Sequence, residues 1–348
     1  MRQAMYRDAI AEAIREEMER DERVYVIGEM ATAEPFQMHR GLFDRFGAER
    51  VLDSPISEAA IVGTSVGAAL AGYRPIAYMH FCDFFMIAGD ELFNKAAKWR
   101  FTHGGKQSVP VVFTAIMGAY IGGGSEHSQS TEAFIMHTPG LKLVVPTTPY
   151  DAKGLLKTAI RDDDPVVFLI HKLYLGSMGE VPEDEYTIPF GVADVKKAGN
   201  DVTVVATGYM VKMALEVAAR FEQERGIGVE VIDPRTLEPL DIDTIVTSVK
   251  KTKRAVVVDE DTLRCGVGAE ILAQIVENAF DYLDAPVRRI GAANMPIPGG
   301  KLEQYALPQR QNISDAVAAV LGTERLMVEG GGSLSGAHLS KALGMSDH

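Results

Sequence analysis

Two segments of the sequence combine residues that transfer protons with small residues that leave room for a bound molecule. Glu58 lies in residues 53–63 (DSPISEAAIVG), and His127 lies in residues 126–130 (EHSQS). A carboxylate and an imidazole form a general acid–base pair when they face one another. Such a pair does little chemistry unaided, so these segments indicate a site that works on a bound cofactor.

Both residues also have a simpler structural interpretation. Glu58 precedes a small-residue helical pattern, where a carboxylate interacts with free backbone amides and the helix dipole. His127 precedes a helix that we expect to start near Thr131, so it fits the role of a capping loop residue. From spacing alone, these structural roles are favoured over a catalytic pair.

Other familiar catalytic motifs give no support to another chemistry. The sequence contains no GxxxxGK[ST], GxSxG or HExxH segment. Residues 266–268 (GVG) resemble a phosphate loop only superficially, because glycines that start a helix usually serve tight packing. The predicted site therefore rests on the Glu58 and His127 segments.

Composition excludes several classes of protein. The 348 residues carry a net charge of -13, which argues against a general binder of nucleic acids or anionic membranes. Cys82 and Cys265 are too few for a disulfide framework. The N-terminal residues lack the apolar core of a signal peptide. These features favour a cytoplasmic enzyme.

The elements that must position the site alternate between short apolar strands and helices. This alternation predicts an α/β fold with a parallel sheet covered on both faces. In the first half we expect strands at 24–27, 75–79, 110–114, 141–145 and 165–170, and helices at 4–20, 61–70, 85–100 and 149–161. In the second half we expect strands at 202–206, 229–232, 255–258 and 287–290, and helices at 209–224, 242–250, 267–280 and 312–321.

A stretch rich in Gly, Pro and acidic residues separates the two halves. We predict a first domain at 1–180, a linker at 181–199 and a second domain at 200–322. Residues 323–348 contain several Gly and Ser residues and are predicted to form a flexible tail.

The segment around Glu58 resembles a known family. Residues 53–63 are similar to the thiamine-binding segment of the β subunit of thiamine-diphosphate-dependent 2-oxo acid dehydrogenases, of the pyruvate, branched-chain and acetoin types. The likeness covers residues 4 to about 321. Further matches, in chain order, are 81–84 (FCDF), 94–98 (NKAAK), 127–130 (HSQS), 139–142 (PGLK), 149–156 (PYDAKGLL), 159–167 (AIRDDDPVV), 233–237 (DPRTL) and 239–241 (PLD).

The resemblance implies a fold, a cofactor and a set of site residues. The fold would be a transketolase-like pyrimidine-binding domain followed by a transketolase C-terminal-type domain, and the cofactor thiamine diphosphate. Glu58 matches the glutamate that hydrogen-bonds the N1′ atom of the aminopyrimidine. Phe84 matches an aromatic residue against that ring, and His127 matches a histidine near the substrate. His80 and His137 adjoin matched segments and are second choices.

The resemblance also implies a potassium site built from main-chain carbonyl groups. Carbonyls at a strand end and a helix C-terminus suit a hard monovalent cation, although the acidic stretch 162–164 fits a solvated turn equally well. The matching positions are Val111, Ala159, Ile160, Asp162 and Asp164.

One element of a complete thiamine site is missing. The diphosphate is held through Mg²⁺ by a Gly-Asp-Gly segment, and residues 89–91 (GDE) are the nearest approach. The resemblance therefore implies an α subunit that carries the diphosphate and Mg²⁺ site, in an α2β2 heterotetramer that serves a lipoyl acyltransferase core.

The predicted function is oxidative decarboxylation of a 2-oxo acid, of the pyruvate type, with acyl transfer to a lipoyl group. Alternatives are an acetoin-cleaving β subunit, the C-terminal half of a split transketolase-like enzyme, and a non-catalytic scaffold. The sequence does not distinguish among the substrates.

Overall fold

The computed structural model describes residues 1–33 and 35–328, which form two compact units. The first unit comprises Met1–Met117, Phe134–Phe190 and Thr236–Pro239. The second comprises Gly118–Ala133, Gly191–Arg235 and, within the described residues, 240–328. The chain therefore passes between the units several times.

Short, mostly apolar strands form the sheets. In chain order they are β1 (Arg2–Met5), β2 (Val24–Glu29), β3 (Val51–Ser54), β4 (Arg74–Phe81), β5 (Val112–Met117), β6 (Lys142–Val144), β7 (Val166–His171), β8 (Met178–Val181), β9 (Asp194–Lys197), β10 (Val202–Ala206), β11 (Val229–Asp233), β12 (Thr236–Glu238), β13 (Ala255–Thr262) and β14 (Arg288–Ala292).

The α-helices follow the same alternation. They are α1 (Tyr6–Arg20), α2 (Leu42–Phe46), α3 (Glu58–Leu70), α4 (Ala97–Thr102), α5 (Glu132–Met136), α6 (Pro149–Arg161), α7 (Met210–Arg225), α8 (Ile242–Thr252), α9 (Val267–Ala279), α10 (Glu303–Ala306) and α11 (Arg310–Leu321).

The first unit is built on a seven-stranded sheet of order β12-β6-β7-β5-β4-β2-β3. All neighbours are parallel except β12, which runs antiparallel to β6. Every residue of β5 and β7 is buried, as expected for central strands covered on both faces. β1 and β8 form a separate antiparallel pair.

The second unit is built on a five-stranded sheet of order β14-β13-β10-β11-β9. β9 is antiparallel to β11, and the other pairs are parallel. Leu326 and Val328 belong to the core of this unit, and Ser314 donates a hydrogen bond to the Leu326 carbonyl. The first residues of the predicted tail thus pack on the unit, and residues 329–348 lie outside the described part of the chain.

The predicted α/β fold class is confirmed, with differences in detail. β1, β3, β8, β9 and β12 were not predicted, because they have only three or four residues each and carry little periodicity of their own. The predicted helix 85–100 divides into a 3₁₀ turn at Cys82–Met86, a π-helix at Asp90–Ala96 and α4. The domain and linker boundaries stay predictions.

Candidate active site

Three neighbouring parallel strands of the first unit bring ionisable side chains to one edge of the sheet. Glu29 is the last residue of β2 and lies opposite Ser54 of β3. His80 lies near the end of β4, on the other side of β2, and Glu58 begins the helix that follows β3. Because carboxyl ends of parallel strands share one edge, these groups meet where α/β sheets bind ligands.

A glycine lets the two central strands of this edge approach each other. A Cβ atom at Gly28 would lie 2.3 Å from the carbonyl oxygen of Tyr78. No side chain is compatible with that separation, so Gly28 fixes the spacing of β2 and β4 directly below Glu29 and His80.

Glu29 and Glu58 form a buried pair of carboxyl groups that share a hydrogen bond. Their residues are 3% and 4% exposed. Burial and then the charge of Glu58 raise the pKa of Glu29 to about 7. Two carboxylates at one site do not both ionise readily, so this pair retains a proton near neutral pH.

His80 lies beside Glu29 and extends the pair. Its Nδ1 atom lies 3.1 Å from Oε2 of Glu29. Burial lowers the pKa of His80, and the charge of Glu58 opposes that effect in part. A neutral imidazole that donates from Nδ1 to Glu29 leaves Nε2 as an acceptor.

Aromatic side chains connect this cluster to Phe84. The rings of His80 and Phe81 are 6.5 Å apart, and those of Phe81 and Phe84 are 6.3 Å apart in an edge-to-face arrangement. Phe36 packs edge-to-face on both His80 and Phe81. Glu58 and Phe84 therefore belong to one continuous cluster of polar and aromatic groups.

Two buried polar atoms of the cluster have no hydrogen-bond partner among residues 1–33 and 35–328. They are Oε1 of Glu29 and Nε2 of His80. Buried polar groups are normally paired, so these atoms suit a bound molecule that supplies its own donors and acceptors. An aminopyrimidine ring, which carries ring nitrogens and an exocyclic amine, has that character.

His127 lies in the second unit, within Gly118–Ala133, which we call the His127 segment. The segment is closed by a hydrogen bond from the Gly118 amide to the Gln129 carbonyl, 3.0 Å long. The amide of His127 donates to the Gly124 carbonyl at 3.3 Å. Gly124 has φ +78°, a conformation that favours glycine, and it allows the tight turn before the histidine.

Two of the carbonyls predicted to hold potassium accept hydrogen bonds from the buried side chain of Arg74. Arg74 donates from Nε to the Ile160 carbonyl at 2.8 Å, and from Nη2 to the Asp162 carbonyl. A carbonyl oxygen has two lone pairs, so these bonds leave each oxygen a second acceptor position. The potassium site, at Val111, Ala159, Ile160, Asp162 and Asp164, stays a prediction.

Neither a divalent-metal site nor a membrane span is present in the part of the chain that the structure describes. No group of three or more His, Cys, Asp and Glu side chains in residues 1–33 and 35–328 is arranged to hold a metal ion. Within the same residues, no helix has the length and apolar character to cross a membrane.

The structure thus places Glu58 and Phe84 in the first unit and His127 in the second, while His137 is exposed in the turn after α5. Glu29 was not predicted as a site residue. Its signal was a carboxylate two residues after the apolar strand 24–27, at the end where parallel strands present ligand-binding groups.

Two family models match the chain. The transketolase pyrimidine-binding domain matches residues 2–177, and the transketolase C-terminal domain matches residues 191–313. A split-gene transketolase, solved as an inactive β4 tetramer, has a TM-score of 0.74 with 24% identity. That similarity covers 92% of this chain and 99% of the other, and it supports the fold.

Curated relatives are similar over nearly their whole length. The acetoin:2,6-dichlorophenolindophenol oxidoreductase subunit beta of Bacillus subtilis (strain 168) is 44% identical over 334 residues, covering 92% of this chain and 97% of the relative. The 2-oxoisovalerate dehydrogenase subunit beta of the same organism is 46% identical over 294 residues, covering 84% and 90%. The pyruvate dehydrogenase E1 component subunit beta of Rickettsia conorii (strain ATCC VR-613 / Malish 7) is 44% identical over 321 residues, covering 91% and 98%.

With domain models, fold and relatives in agreement, the chain belongs to the family of β subunits of thiamine-diphosphate-dependent 2-oxo acid dehydrogenases and their acetoin-cleaving relatives.

Proposed function

We propose that the chain is the β subunit of a pyruvate-type 2-oxo acid dehydrogenase that decarboxylates its substrate oxidatively and passes the acyl group to a lipoyl arm. The observation that carries this proposal is the buried Glu29–Glu58 pair, which retains a proton near neutral pH at the edge of the first sheet. The pair supplies the poised carboxyl that a thiamine site requires at the aminopyrimidine.

Each site residue has a distinct role in this proposal. Glu58 would hydrogen-bond N1′ of the aminopyrimidine and exchange a proton there, with Glu29 beside it as the second carboxyl of the pair. Phe84 would pack on the ring, and stacking of this kind contributes about 1 kcal/mol beyond area burial. His127 donates a hydrogen bond to the substrate carbonyl or to the lipoyl group. Bound thiamine diphosphate supplies the electron sink for decarboxylation.

The diphosphate end of the cofactor would be held by another chain. This proposal is supported by the lack of a Gly-Asp-Gly segment in the sequence. Exposed apolar residues of the first unit are consistent with a partner, among them Ile56, which is 81% exposed two residues before Glu58. We infer an α subunit that brings the diphosphate and Mg²⁺ ligands, an α2β2 assembly, and a lipoyl acyltransferase core as the acceptor.

Acetoin cleavage is a second candidate. The acetoin oxidoreductase relative is aligned over 334 residues at 44% identity, against 321 residues at 44% for the pyruvate dehydrogenase relative. These values do not separate the two substrates. The β subunit shares the proton chemistry in either case, and substrate choice would depend on pocket residues of both chains.

Co-purification with the cognate α subunit followed by a substrate panel tests this proposal. Pyruvate, branched-chain 2-oxo acids and acetoin would be assayed with a dye acceptor and with a lipoyl domain. We expect thiamine-dependent turnover of one of the three, and acyl transfer to the lipoyl domain if the substrate is a 2-oxo acid. Turnover of none of them by an assembled complex would overturn the proposal.

Two further expectations accompany the proposed function. If potassium binds at the predicted carbonyls, replacing K⁺ with choline should lower the thermal midpoint of the complex, and an unchanged midpoint would contradict the site. A cytoplasmic location is consistent with Cys82 and Cys265, both free thiols in the structure.

A further inference from the structure

The second unit holds the His127 segment through carboxylates that accept hydrogen bonds from its backbone. Glu260, in β13, accepts from the Ala119 amide at 2.5 Å. Glu303, the first residue of α10, accepts from the Gly122 amide at 2.9 Å. Hydrogen bonds from backbone amides to a carboxylate are among the stronger kind, because the acceptor is charged.

Backbone and tyrosine contacts complete this attachment. The Gly300 amide donates to the Gly122 carbonyl at 3.1 Å, and the Tyr120 hydroxyl donates to the Pro308 carbonyl at 2.8 Å. A Cβ atom at Gly122 would lie 3.0 Å from Cα of Gly300, so the two backbone segments are in close contact. The part of the segment before His127 is therefore fixed at Ala119, Tyr120 and Gly122.

The attachment is buried at the Glu260 end. Glu260 is 3% exposed, and Ala119 is fully buried. Removing the carboxylate would leave the Ala119 amide without an acceptor in a place that water does not reach. An unsatisfied buried amide favours rearrangement of the backbone that carries it.

Glu260 lies among other acidic side chains. Glu132, Asp259 and Asp261 lie in the same region, and burial together with the charge of Asp261 raises the pKa of Glu132 well above its usual range. Burial also raises the pKa of Asp261 to about 6, against hydrogen bonds from the Thr262 and Ala133 amides. Hydrogen bonds from backbone amides stabilise these closely spaced carboxyl groups. The His127 segment supplies two such donors, the amides of Ala119 and Ala133.

We propose that Glu260 and Glu303 are positioning residues that hold the His127 segment, and through it His127, in the geometry used for catalysis. This inference rests on the role of His127 under the proposed function. It assigns to the C-terminal domain a part in the reaction that is separate from assembly.

The test uses the co-purified complex with Glu260→Ala, Glu260→Gln and Glu303→Ala. We expect Glu260→Ala to lower kcat ten- to a hundredfold with less than a threefold change in KM. Glu260→Gln keeps an amide oxygen that accepts from Ala119, so it should retain kcat within about threefold. Hydrogen exchange at residues 118–133 should accelerate in Glu260→Ala and in Glu303→Ala. Glu222→Ala, which removes an exposed partner of Lys197 in the same unit, is the matched control.

A double-mutant cycle separates positioning from general destabilisation. If Glu260 acts through His127, Glu260→Ala should lower kcat no further in a His127→Ala background. Full activity of Glu260→Ala and Glu303→Ala, or the same fold-loss with and without His127, would overturn the inference. Full activity of His127→Ala alone would instead remove the role assigned to His127, a failure distinguishable from the first. If Glu260→Ala does not fold, Glu303→Ala in the wild-type and His127→Ala backgrounds carries the same comparison.

Discussion

In the two units of this protein, carboxyl groups contact different kinds of partner. In the first, Glu29 and Glu58 face each other and a histidine, and Oε1 of Glu29 has no hydrogen-bond partner in the part of the chain that the structure describes. In the second, Glu260 and Glu303 accept hydrogen bonds from backbone amides of one loop. The first arrangement favours a protonated Glu29, and the second restrains the backbone of the His127 segment.

The difference lies in what each carboxyl is paired with. Burial, and then the charge of the neighbouring Glu58, raises the pKa of Glu29 to about 7. A carboxylate that accepts hydrogen bonds from backbone amides restrains the backbone that donates them. In our proposals, the same residue type serves proton transfer in one unit and positioning in the other.

The largest effect is expected at the Glu29–Glu58 pair. Glu58→Gln removes the titrating group at the aminopyrimidine while keeping its size, so activity of the reconstituted complex should fall 10²- to 10⁴-fold, the range for loss of a general acid–base group. Steady-state turnover measures this, with gel filtration to show that assembly is unchanged. Retained turnover would refute the role assigned to Glu58.

Glu29→Gln tests the shared proton through stability. Because the pKa of Glu29 is raised from 4.5 to about 7, its contribution to stability is full below pH 4.5 and is lost as the pH rises through 7. The change amounts to at most about 3 kcal/mol for a shift of this size. The wild-type chain should lose free energy of unfolding across that window, and the variant should lose less.

Urea unfolding of the isolated chain at several pH values measures this difference. Glu49→Gln, a change at an exposed carboxyl, is the control and should follow the wild type. Parallel pH curves for wild type and Glu29→Gln would contradict a shared proton.

A smaller effect is expected at the glycine beneath the pair. Gly28→Ala forces a Cβ atom against the Tyr78 carbonyl and should destabilise the chain by about 1–3 kcal/mol. Gly67→Ala, inside α3 with open space around it, should stabilise by about 0.5–1 kcal/mol. Thermal unfolding of the isolated chain compares the two. Equal thermal midpoints for Gly28→Ala and Gly67→Ala would show that the spacing of β2 and β4 does not exclude a side chain at position 28.

The sequence predicted the regular parts of the fold more closely than the site. Apolar runs identified the central strands, and residues 149–161 were predicted as a helix that the structure begins and ends at the same residues. β9 and β12 were missed because their register comes from pairing with β11 and β6, which local periodicity does not encode.

The site shows the same limit. Residue types singled out Glu58 and His127, the resemblance added Phe84 and the specific roles, and those roles stay proposals. Glu29 and Glu260 are distant in sequence from the groups they contact, so only the folded chain brings Glu29 to Glu58 and Glu260 to Ala119. No motif marks a carboxylate whose partner is a backbone amide 141 residues away.

The central claim is that this chain carries only the pyrimidine half of a thiamine site. Calorimetric titration of thiamine diphosphate and Mg²⁺ into the purified chain, and into the chain with its α subunit, tests that claim most directly. We predict no tight binding and no decarboxylation by the chain alone, and both with the α subunit present. Tight binding and turnover by the chain alone would contradict it.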